Sequence, residues 1–503
     1  MCDTGGIRRP VRVLPRSAGP DSPARYASAM RFVILGGGPA GYAAASAAAV
    51  LGAEVTLIED TGLGGSCTLT DAIPSKTLLS TATVLAAIDR ADQSGVSFEH
   101  GKPHVDMLRT VAHARWVATH QSRGIRDRLE ETTVRIIHGR GRIAAAGLIH
   151  VECDGYTAEV EYDTLLLSTG ASPWLPPFAT MDSDRVFTTR DVLDQRETPE
   201  HLIVVGAGAT GCEYAEFYAS SGSTITLLSA RSQVLPNEDE DVAEIIQEGF
   251  LSRGIEIQMN ARIVEIMAED DHVTVRAEDG RSFRGTHAIV CMGQRANTAN
   301  LGLEELGVEL DGRGAILVDE HLRTSVPGVY AAGDVAGGMM LASTGAMQGR
   351  HAALHAAGIA EGAINLKNVA WTIFTRPEVA TVGLTESMAA REGRPVDITK
   401  HYLNANPRGV ISGWREGMIK LITDPATGTL LGGSIVGYRA SENIATVALA
   451  VNEGLNVESL ANTGVVTPSM SESLQRAAER AMNRRLAKQG AGVTVPRTQP
   501  LGA

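Results

Sequence analysis

The sequence predicts an α/β fold with two Rossmann-like dinucleotide-binding domains and a C-terminal α+β domain. Three observations predict it. A strand, glycine turn, helix and second strand follow one another from Arg31, and the same order returns from Leu202. From about residue 366 the pattern changes to short strand-like runs around a single helical run. The 503 residues suffice for about three domains at roughly 150 residues each.

In the first unit, Arg31-Phe-Val-Ile-Leu35 reads as a short buried strand. It runs into Gly36-Gly37-Gly38-Pro39-Ala40-Gly41, then an alanine-rich helix from Tyr42 to Leu51, then the strand Glu54-Val-Thr-Leu-Ile58, which ends on Glu59. Gly36 permits the tight turn, Gly38 lets the backbone approach a pyrophosphate, and Gly41 lets helix and strand pack closely. The helix N-terminus faces the phosphate charge. Glu59 stands where an acid accepts hydrogen bonds from a ribose diol. A glycine motif alone is weak, but strand, turn, helix, strand and terminal acid together are specific.

The second unit repeats the order. Leu202-Ile-Val-Val205 leads into Gly206-Ala207-Gly208-Ala209-Thr210-Gly211, a helix through Ser220, and the strand Thr224-Ile-Thr-Leu-Leu228. Two fingerprints imply two nucleotides, and the commonest such pair in one enzyme is a nicotinamide and a tightly held flavin, FAD. The copies differ at the ribose position: Ser229 replaces the acid, and Arg231 follows it. A carboxylate ~4 Å from a 2′-phosphate would cost about 1–4 kcal/mol. Ser229 removes that cost, and Arg231 can pair with the phosphate. The expectation is NADPH as coenzyme, with NADH also accepted; the alternative for Arg231 is a solvated surface charge.

Residues 262–287 alternate polar and apolar, as antiparallel strands do. In the C-terminal part, Met418-Ile-Lys-Leu-Ile422 and Ile435-Val-Gly437 read as strands and Ala440 to Gly454 as a helix.

Bulk properties exclude several classes. A net charge of -13 argues against nucleic acid or an anionic membrane as partner. No apolar run reaches the ~18 residues of a membrane span, so a soluble protein without membrane insertion is expected. The five cysteines, Cys2, Cys67, Cys153, Cys212 and Cys291, form no CxxC pair, which fits a reducing cytoplasm. Residues 1–29, rich in Arg, Pro, Ser and Gly, lack the apolar core of a signal peptide and read as a disordered extension with Met30 as a candidate start. Residues 489–503 read as a loose tail.

Further motifs carry a family resemblance. Leu165-Leu-Leu-Ser-Thr-Gly170, Thr324-Ser-Val-Pro-Gly-Val-Tyr-Ala-Ala-Gly-Asp334 and Phe374-Thr-Arg-Pro-Glu-Val-Ala-Thr-Val-Gly383 stand in this order with the two glycine fingerprints. Over residues 30 to 487 the chain resembles the flavoprotein disulfide reductases, the family of glutathione reductase and dihydrolipoamide dehydrogenase. The resemblance implies FAD-binding segments at 30–175 and 299–365, an NAD(P)-binding domain at 176–298, and a dimerisation domain at 366–488 that makes a homodimer. It implies that Asp334 contacts the ribityl chain. It adds Gly65, Ser66, Cys67, Thr169, Gly170, Gly293, Gly333, Leu341 and Ala342 as candidate cofactor contacts, beside the motif residues above.

The family's redox signature has two cysteines. Here Gly64-Gly65-Ser66-Cys67-Thr68-Leu69-Thr70-Asp71-Ala72-Ile73-Pro74-Ser75-Lys76 keeps the first and has Ala72 for the second. Thiol–disulfide exchange within one site needs both sulfurs. Cys67 is left as a small buried hydrophobe or as a partner in a mixed disulfide. The family's C-terminal His-Pro-Thr-x-x-Glu reads Thr467-Pro468-Ser469-Met470-Ser471-Glu472, so the general acid is absent and Glu472 becomes a structural acceptor. The pair that the resemblance places by the flavin, Lys76 and Glu213, is present as the catalytic candidates, and Ala209 stands where some relatives carry a bulky gate.

The subgroup most resembled is the lipoamide-dehydrogenase-like NAD(P)H:quinone reductases, which also depart from the paired cysteines and the histidine. Segments such as Leu341-Ala-Ser-Thr-Gly-Ala-Met-Gln-Gly-Arg350 carry that resemblance. The expected acceptor is a small-molecule quinone. The alternatives are a soluble NAD(P) transhydrogenase, residual lipoamide-dehydrogenase-like diaphorase or oxidase activity, and a redox-inert flavoprotein scaffold.

Overall fold

The computed structural model describes residues 30–97, 103–179, 184–488 and 490. The extension at 1–29, and the tail at 489–503 apart from Gly490, lie outside the described residues.

Strand Arg31–Leu35 is the middle of a five-stranded parallel sheet, in the order Val329–Ala331, Thr164–Leu167, Arg31–Leu35, Glu54–Glu59, Arg135–His138. Side chains alternate across a strand, so this one serves two cores. Phe32 and Ile34 pack on one face against Ala44, Ala45 and Ala48 of helix Pro39–Val50. Val33 and Leu35 pack on the other against Ile143, Ile149 and Val151. Those three belong to an antiparallel sheet, Arg140–Ala145, Leu148–Cys153 and Tyr156–Glu161, that the sequence reading did not anticipate. The helix expected from Tyr42 begins at Pro39, inside the glycine motif, because a proline at the first helical position gives up no needed N–H. Helix Ala342–Ala356 packs so closely on it that a Cβ at Gly349 would lie 1.9 Å from the Ala40 oxygen.

The second unit builds another parallel sheet, Glu256–Gln258, Thr224–Leu228, His201–Val205, His287–Val290, Val186–Thr188. The alternation at 262–287 becomes the antiparallel strands Ile263–Ala268, Val273–Ala277 and Ser282–Gly285. The fold class is thus the α/β class expected from the sequence.

The C-terminal part is a five-stranded antiparallel sheet, Trp371–Ile373, Glu378–Gly383, Leu430–Gly437, Met418–Thr423, Asp397–Tyr402. Helices Ala440–Asn452 and Ser471–Lys488 share its core. One core runs through all three parts: Leu78 and Leu79, Tyr214 and Phe217, and Ile373, Val379 and Met418 belong to it. This brings helices Ala72–Asp89 and Ala209–Ser220 together with strand Trp371–Ile373.

A buried charge network ties the second sheet to the third. The Lys420 side chain is 0% exposed, and its Nζ donates to Asp239 Oδ2 (2.7 Å), Asp241 Oδ1 (2.5 Å) and Glu386 Oε2 (3.3 Å). Lys400 adds a contact to Asp241 at 2.7 Å. The three carboxylates converge enough to hold a cation, and the Lys420 ammonium already fills that place. Among the described residues no helix is long and apolar enough to cross a membrane.

Candidate active site

The two glycine turns repeat one steric design. Gly36 (φ +103°) and Gly206 (φ +113°) take conformations that side chains rarely adopt, and a Cβ at either would sit 2.3 Å from a backbone oxygen, of Ser168 or Cys291. At Gly41 and Gly211 a Cβ would come within 1.9 and 1.8 Å of the Gly36 and Gly206 oxygens. The middle glycines differ. At Gly38 the nearest atom would be 4.0 Å away, and at Gly208 nothing lies within 4 Å. The chain itself does not require glycine at these two positions; each leaves open space at the N-terminal end of a helix that has no side-chain cap. The unused amides there, including those of Ala40 and Gly41 and of Ala209 and Thr210, are donors for an anion. Both sites therefore fit a dinucleotide pyrophosphate.

The ribose positions are built differently. The Glu59 carboxylate is buried and accepts from the amides of Gly37 (2.5 Å), Thr61 (2.7 Å) and Gly62 (3.0 Å). A carboxylate offers about four lone-pair directions, so one stays available to a ribose hydroxyl. In the second copy Ser229 is buried and donates to the Gln233 oxygen at 3.0 Å, while its Oγ accepts from the Arg231 amide at 3.1 Å. The Ser229 hydroxyl is committed to its own turn, and unlike Glu59 it places no charge at this position. The Arg231 side chain is exposed and forms no ion pair with any described residue.

Lys76 and Glu213 meet, although 137 residues separate them. Lys76 Nζ lies 2.7 Å from Glu213 Oε2, with Lys76 one-third exposed and Glu213 only 6% exposed. The other carboxylate oxygen accepts from the Phe374 amide at 2.9 Å, and the Phe374 ring lies 5.2 Å from the lysine nitrogen. A buried carboxylate with both oxygens engaged fixes the ammonium of a partly exposed lysine. Phe374 was read from sequence only as part of a domain-start motif, and its amide contact has no local sequence signal.

Cys67 lies in the helical turn Gly65–Leu69, where a Cβ at Gly65 would meet the Gly38 Cα at 2.9 Å. The Ser66 carbonyl closes this turn by accepting from Thr70 and Asp71. Burial, with the nearby Asp71 and Asp334 charges, pushes the Cys67 thiol up to about 11, against a smaller opposing pull from Lys76. Cys67, Cys153, Cys212 and Cys291 are free thiols. Ala72 opens helix Ala72–Asp89.

The remaining candidates line the same region. Gly333 (φ +79°) donates its amide to Gln348 Oε1 at 2.8 Å, and burial raises the Asp334 carboxyl above its ordinary range, with Asp71 adding to it. Leu341 caps helix Ala342–Ala356 without a side-chain bond, so the amides from Ala342 onward are open. Thr344 Oγ1 and Asp71 Oδ1 are buried without a partner among the described residues, as expected where a cofactor supplies the missing one. Thr169 and Gly170 are laced to Asn297: Thr169 Oγ1 donates to the Asn297 oxygen (2.8 Å) and Asn297 Nδ2 returns a bond to the Thr169 oxygen (2.9 Å). Gly293 accepts from the Trp174 amide at 2.9 Å. These three residues join the two nucleotide units.

At the C-terminal motif, Thr467 Oγ1 donates to Glu472 Oε1 at 2.9 Å and the Ser469 amide to Oε2 at 3.0 Å. The Ser469 amide and the Thr467 hydroxyl hold the Glu472 carboxyl below its usual range. The pair closes a loop and offers no group that exchanges protons near neutrality.

A family model described as pyridine nucleotide-disulphide oxidoreductase matches residues 30–349, and the dimerisation-domain model of that name matches residues 369–478. A curated relative from Mycobacterium tuberculosis (strain ATCC 25618 / H37Rv), NAD(P)H dehydrogenase (quinone), is 39% identical over 463 residues, spanning 90% of this chain and 94% of its own. Dihydrolipoyl dehydrogenase of Bacillus subtilis (strain 168) is 32% identical over 450 residues, spanning 89% of this chain and 98% of its own. Among solved structures, LpdA from Mycobacterium tuberculosis matches with a TM-score of 0.85 at 38% identity, over 90% of this chain and 99% of that one. The HOCl-induced flavoprotein disulfide reductase RclA from Escherichia coli matches with a TM-score of 0.79 at 27% identity, over 89% and 99%.

Proposed function

Because the chain belongs to the pyridine nucleotide-disulphide oxidoreductases and is a flavoprotein NAD(P)H oxidoreductase, we propose that it delivers electrons to a quinone-type acceptor directly from the flavin. No redox-active disulfide takes part. The observation that carries this is the pairing of an intact Lys76–Glu213 bridge with a lone, high-pKa Cys67 and an alanine at position 72. Bound FAD supplies the chemistry of accepting a hydride and releasing two electrons to a second substrate.

The chain's own residues bind and orient. Gly38 and Gly208 leave space for the two pyrophosphates, and the amides behind them supply the donors. Glu59 would receive a ribose hydroxyl of FAD, and the open start of helix Ala342–Ala356 would offer amide donors and positive dipole charge to the bound cofactor. Lys76 supplies a fixed positive charge, held by Glu213 and Phe374. Thr467 has no proton to give near neutrality, so it would not serve as the acid in quinone reduction. The dimerisation domain supports a homodimer, and the cysteine usage supports a cytoplasmic location. The similarity to the NAD(P)H dehydrogenase (quinone) of Mycobacterium tuberculosis supports the quinone reading.

Replacing Cys67 with Ser separates this reading from disulfide chemistry. NADPH:menadione turnover is expected to stay within about twofold of the native rate, and lipoamide or glutathione disulfide to be negligible substrates for either protein. A loss of quinone turnover in the variant, or a strong long-wavelength charge-transfer band on anaerobic reduction of the native protein, would falsify the thiol-free route. Efficient reduction of a thio-NAD analogue by NADPH with poor quinone turnover would favour a transhydrogenase instead.

NADPH is the preferred coenzyme and NADH a slower one. Arg231→Ala is expected to lower the NADPH-to-NADH ratio of kcat/KM by about tenfold to a hundredfold, the range for losing a hydrogen bond to a charged group. Steady-state rates with both coenzymes on one preparation check this; an unchanged ratio means that Arg231 does not contact the 2′-phosphate.

A further inference from the structure

We propose that Asp71 is the proton donor to the acceptor: its carboxylic acid gives the proton that a quinone oxygen takes up when the electron pair arrives. This role rests on the quinone reading above and fills the place that Thr467 leaves empty. Asp71 belongs neither to the glycine turns nor to the Lys76–Glu213 bridge.

Asp71 stands at the N-cap of helix Ala72–Asp89, where an aspartate ordinarily accepts from the first-turn amides. Its side chain makes no such bond. It lies instead close enough for its charge to act on Cys67, Tyr214 and Asp334, and for Lys76 to act on it. These groups come from turn Gly65–Leu69, helix Ala209–Ser220, the segment after strand Val329–Ala331 and the helix that Asp71 opens. The carboxyl thus sits among the residues that frame the cofactor site. Oδ1 is buried, while the side chain as a whole is 25% exposed, so the open part of the carboxyl is on the Oδ2 side. Oδ2 lies 3.9 Å from Arg190 Nη2, beyond hydrogen-bond length. Arg190 spends its donors elsewhere, Nη1 on Ser172 Oγ at 3.1 Å and Nη2 on the Ala171 oxygen at 2.7 Å.

Glu59 shows the opposite arrangement. Three amides hold its carboxylate, whereas no described backbone amide donates to Asp71. Burial raises the Asp71 carboxyl above its ordinary 3.8, and Arg190, Ser66 and Lys76 offset this only in part. Asp334 is raised by burial as well, with Asp71 adding to it, since neighbouring carboxyls resist ionising together. An acid moved toward neutrality is suited to giving a proton in turnover.

The step balances. A hydride from reduced FAD carries the electron pair to one quinone oxygen, so the flavin is oxidised and the quinone is reduced to the hydroquinone monoanion. The O–H bond of Asp71 breaks, an O–H bond forms on the other quinone oxygen, and neutral hydroquinone leaves. Water returns a proton to Asp71 through the open Oδ2 side.

Asp71→Asn keeps the shape and removes the proton. FAD-loaded native and variant proteins, reduced with NADPH, are reoxidised with benzoquinone, which takes up protons, or with ferricyanide, which takes electrons alone. The ratio of quinone to ferricyanide rates should fall by about 10²–10⁴-fold in the variant. In the native protein, reoxidation by quinone but not by ferricyanide should slow in D₂O, and should fall as the pH rises through the Asp71 value. In weakly acidic buffer, oxidised native protein should show an infrared band of a protonated carboxyl that Asp71→Asn lacks. An unchanged ratio, quinone reoxidation insensitive to D₂O, or no such band overturns the role of Asp71 alone. Native protein reoxidised by ferricyanide but not by quinone overturns the quinone reading, and this role with it. The native isotope effect decides even if the variant fails to fold.

Discussion

Replacing Lys76 with Met is expected to slow reduction of the bound flavin by NADPH by about 10²–10³-fold, the usual cost of removing one aligned charge from developing negative charge. The Lys76 ammonium is fixed before any ligand arrives. Glu213 holds it at 2.7 Å, and the Phe374 amide prevents that carboxylate from swinging away. Affinity for NADPH should change by no more than a few-fold, because the role proposed for the lysine is in the hydride step rather than in holding the nucleotide. Lys76→Arg should recover only part of the rate, since a planar guanidinium cannot reproduce a point charge at the same place. Stopped-flow bleaching of the flavin measures the step directly. A Lys76→Met rate within twofold of native would remove this residue from the chemistry.

The second large effect is on stability. Lys420→Met should destabilise the protein by about 3–5 kcal/mol, because removing the buried ammonium leaves the Asp239 carboxylate charged and without a counter-ion. Adding Asp239→Asn and Asp241→Asn to Lys420→Met should recover much of the loss, which a mere packing defect would not allow. Glu386 is 42% exposed and contributes little to this figure. Urea midpoints of the three proteins decide it.

The network also gives an acid limit. Burial by itself would raise Asp239, but the Lys420 ammonium and the amides of Ser387 and Glu386 outweigh burial and hold the carboxyl below its ordinary value of 3.8. A carboxyl lowered on folding contributes stability above its unfolded pKa and loses it as the pH falls through the lower folded value. Burial likewise opposes the rise of Lys420, but Asp239 and Asp241 raise it above 10.5, so its share is complete below 10.5 and lost only in stronger base. Lys420→Met removes the ammonium's share of that lowering, so the stability gap between the variant and the native protein should narrow as the pH falls through the native Asp239 value.

What could be read from sequence was whatever is local. The glycine turns, their strands and the ribose-position residues lie within about thirty positions of one another, and their spacing carries the chemistry. The Lys76–Glu213 pair was accessible only through family resemblance, since nothing local links residues 137 apart. Other features escaped for related reasons. The strands at 140–161 form a small sheet with mostly exposed outer positions, so their alternation is faint. Lys420 sits in a strand that reads as apolar, and its carboxylate partners come from two distant segments, so no window holds both halves of the network. Ser229 follows strand Thr224–Leu228, but its hydroxyl is committed to Gln233, a bond that depends on the path of the turn.

The high pKa of the Cys67 thiol has a consequence for the proposed substrate itself. Quinones are electrophiles as well as oxidants, and thiolates add to them to give stable arylated proteins. At pH 7 a thiol with a pKa of about 11 is ionised to roughly one part in ten thousand, about a hundredfold less than an ordinary thiol of 9.0. Burial pushes Cys291 up to about 12 and raises Cys212 as well. A dithiol enzyme reducing quinones would expose its own nucleophile to the compound it consumes; this one presents a protonated sulfur. Prolonged turnover with benzoquinone should accordingly leave Cys67, Cys212 and Cys291 unmodified by mass spectrometry.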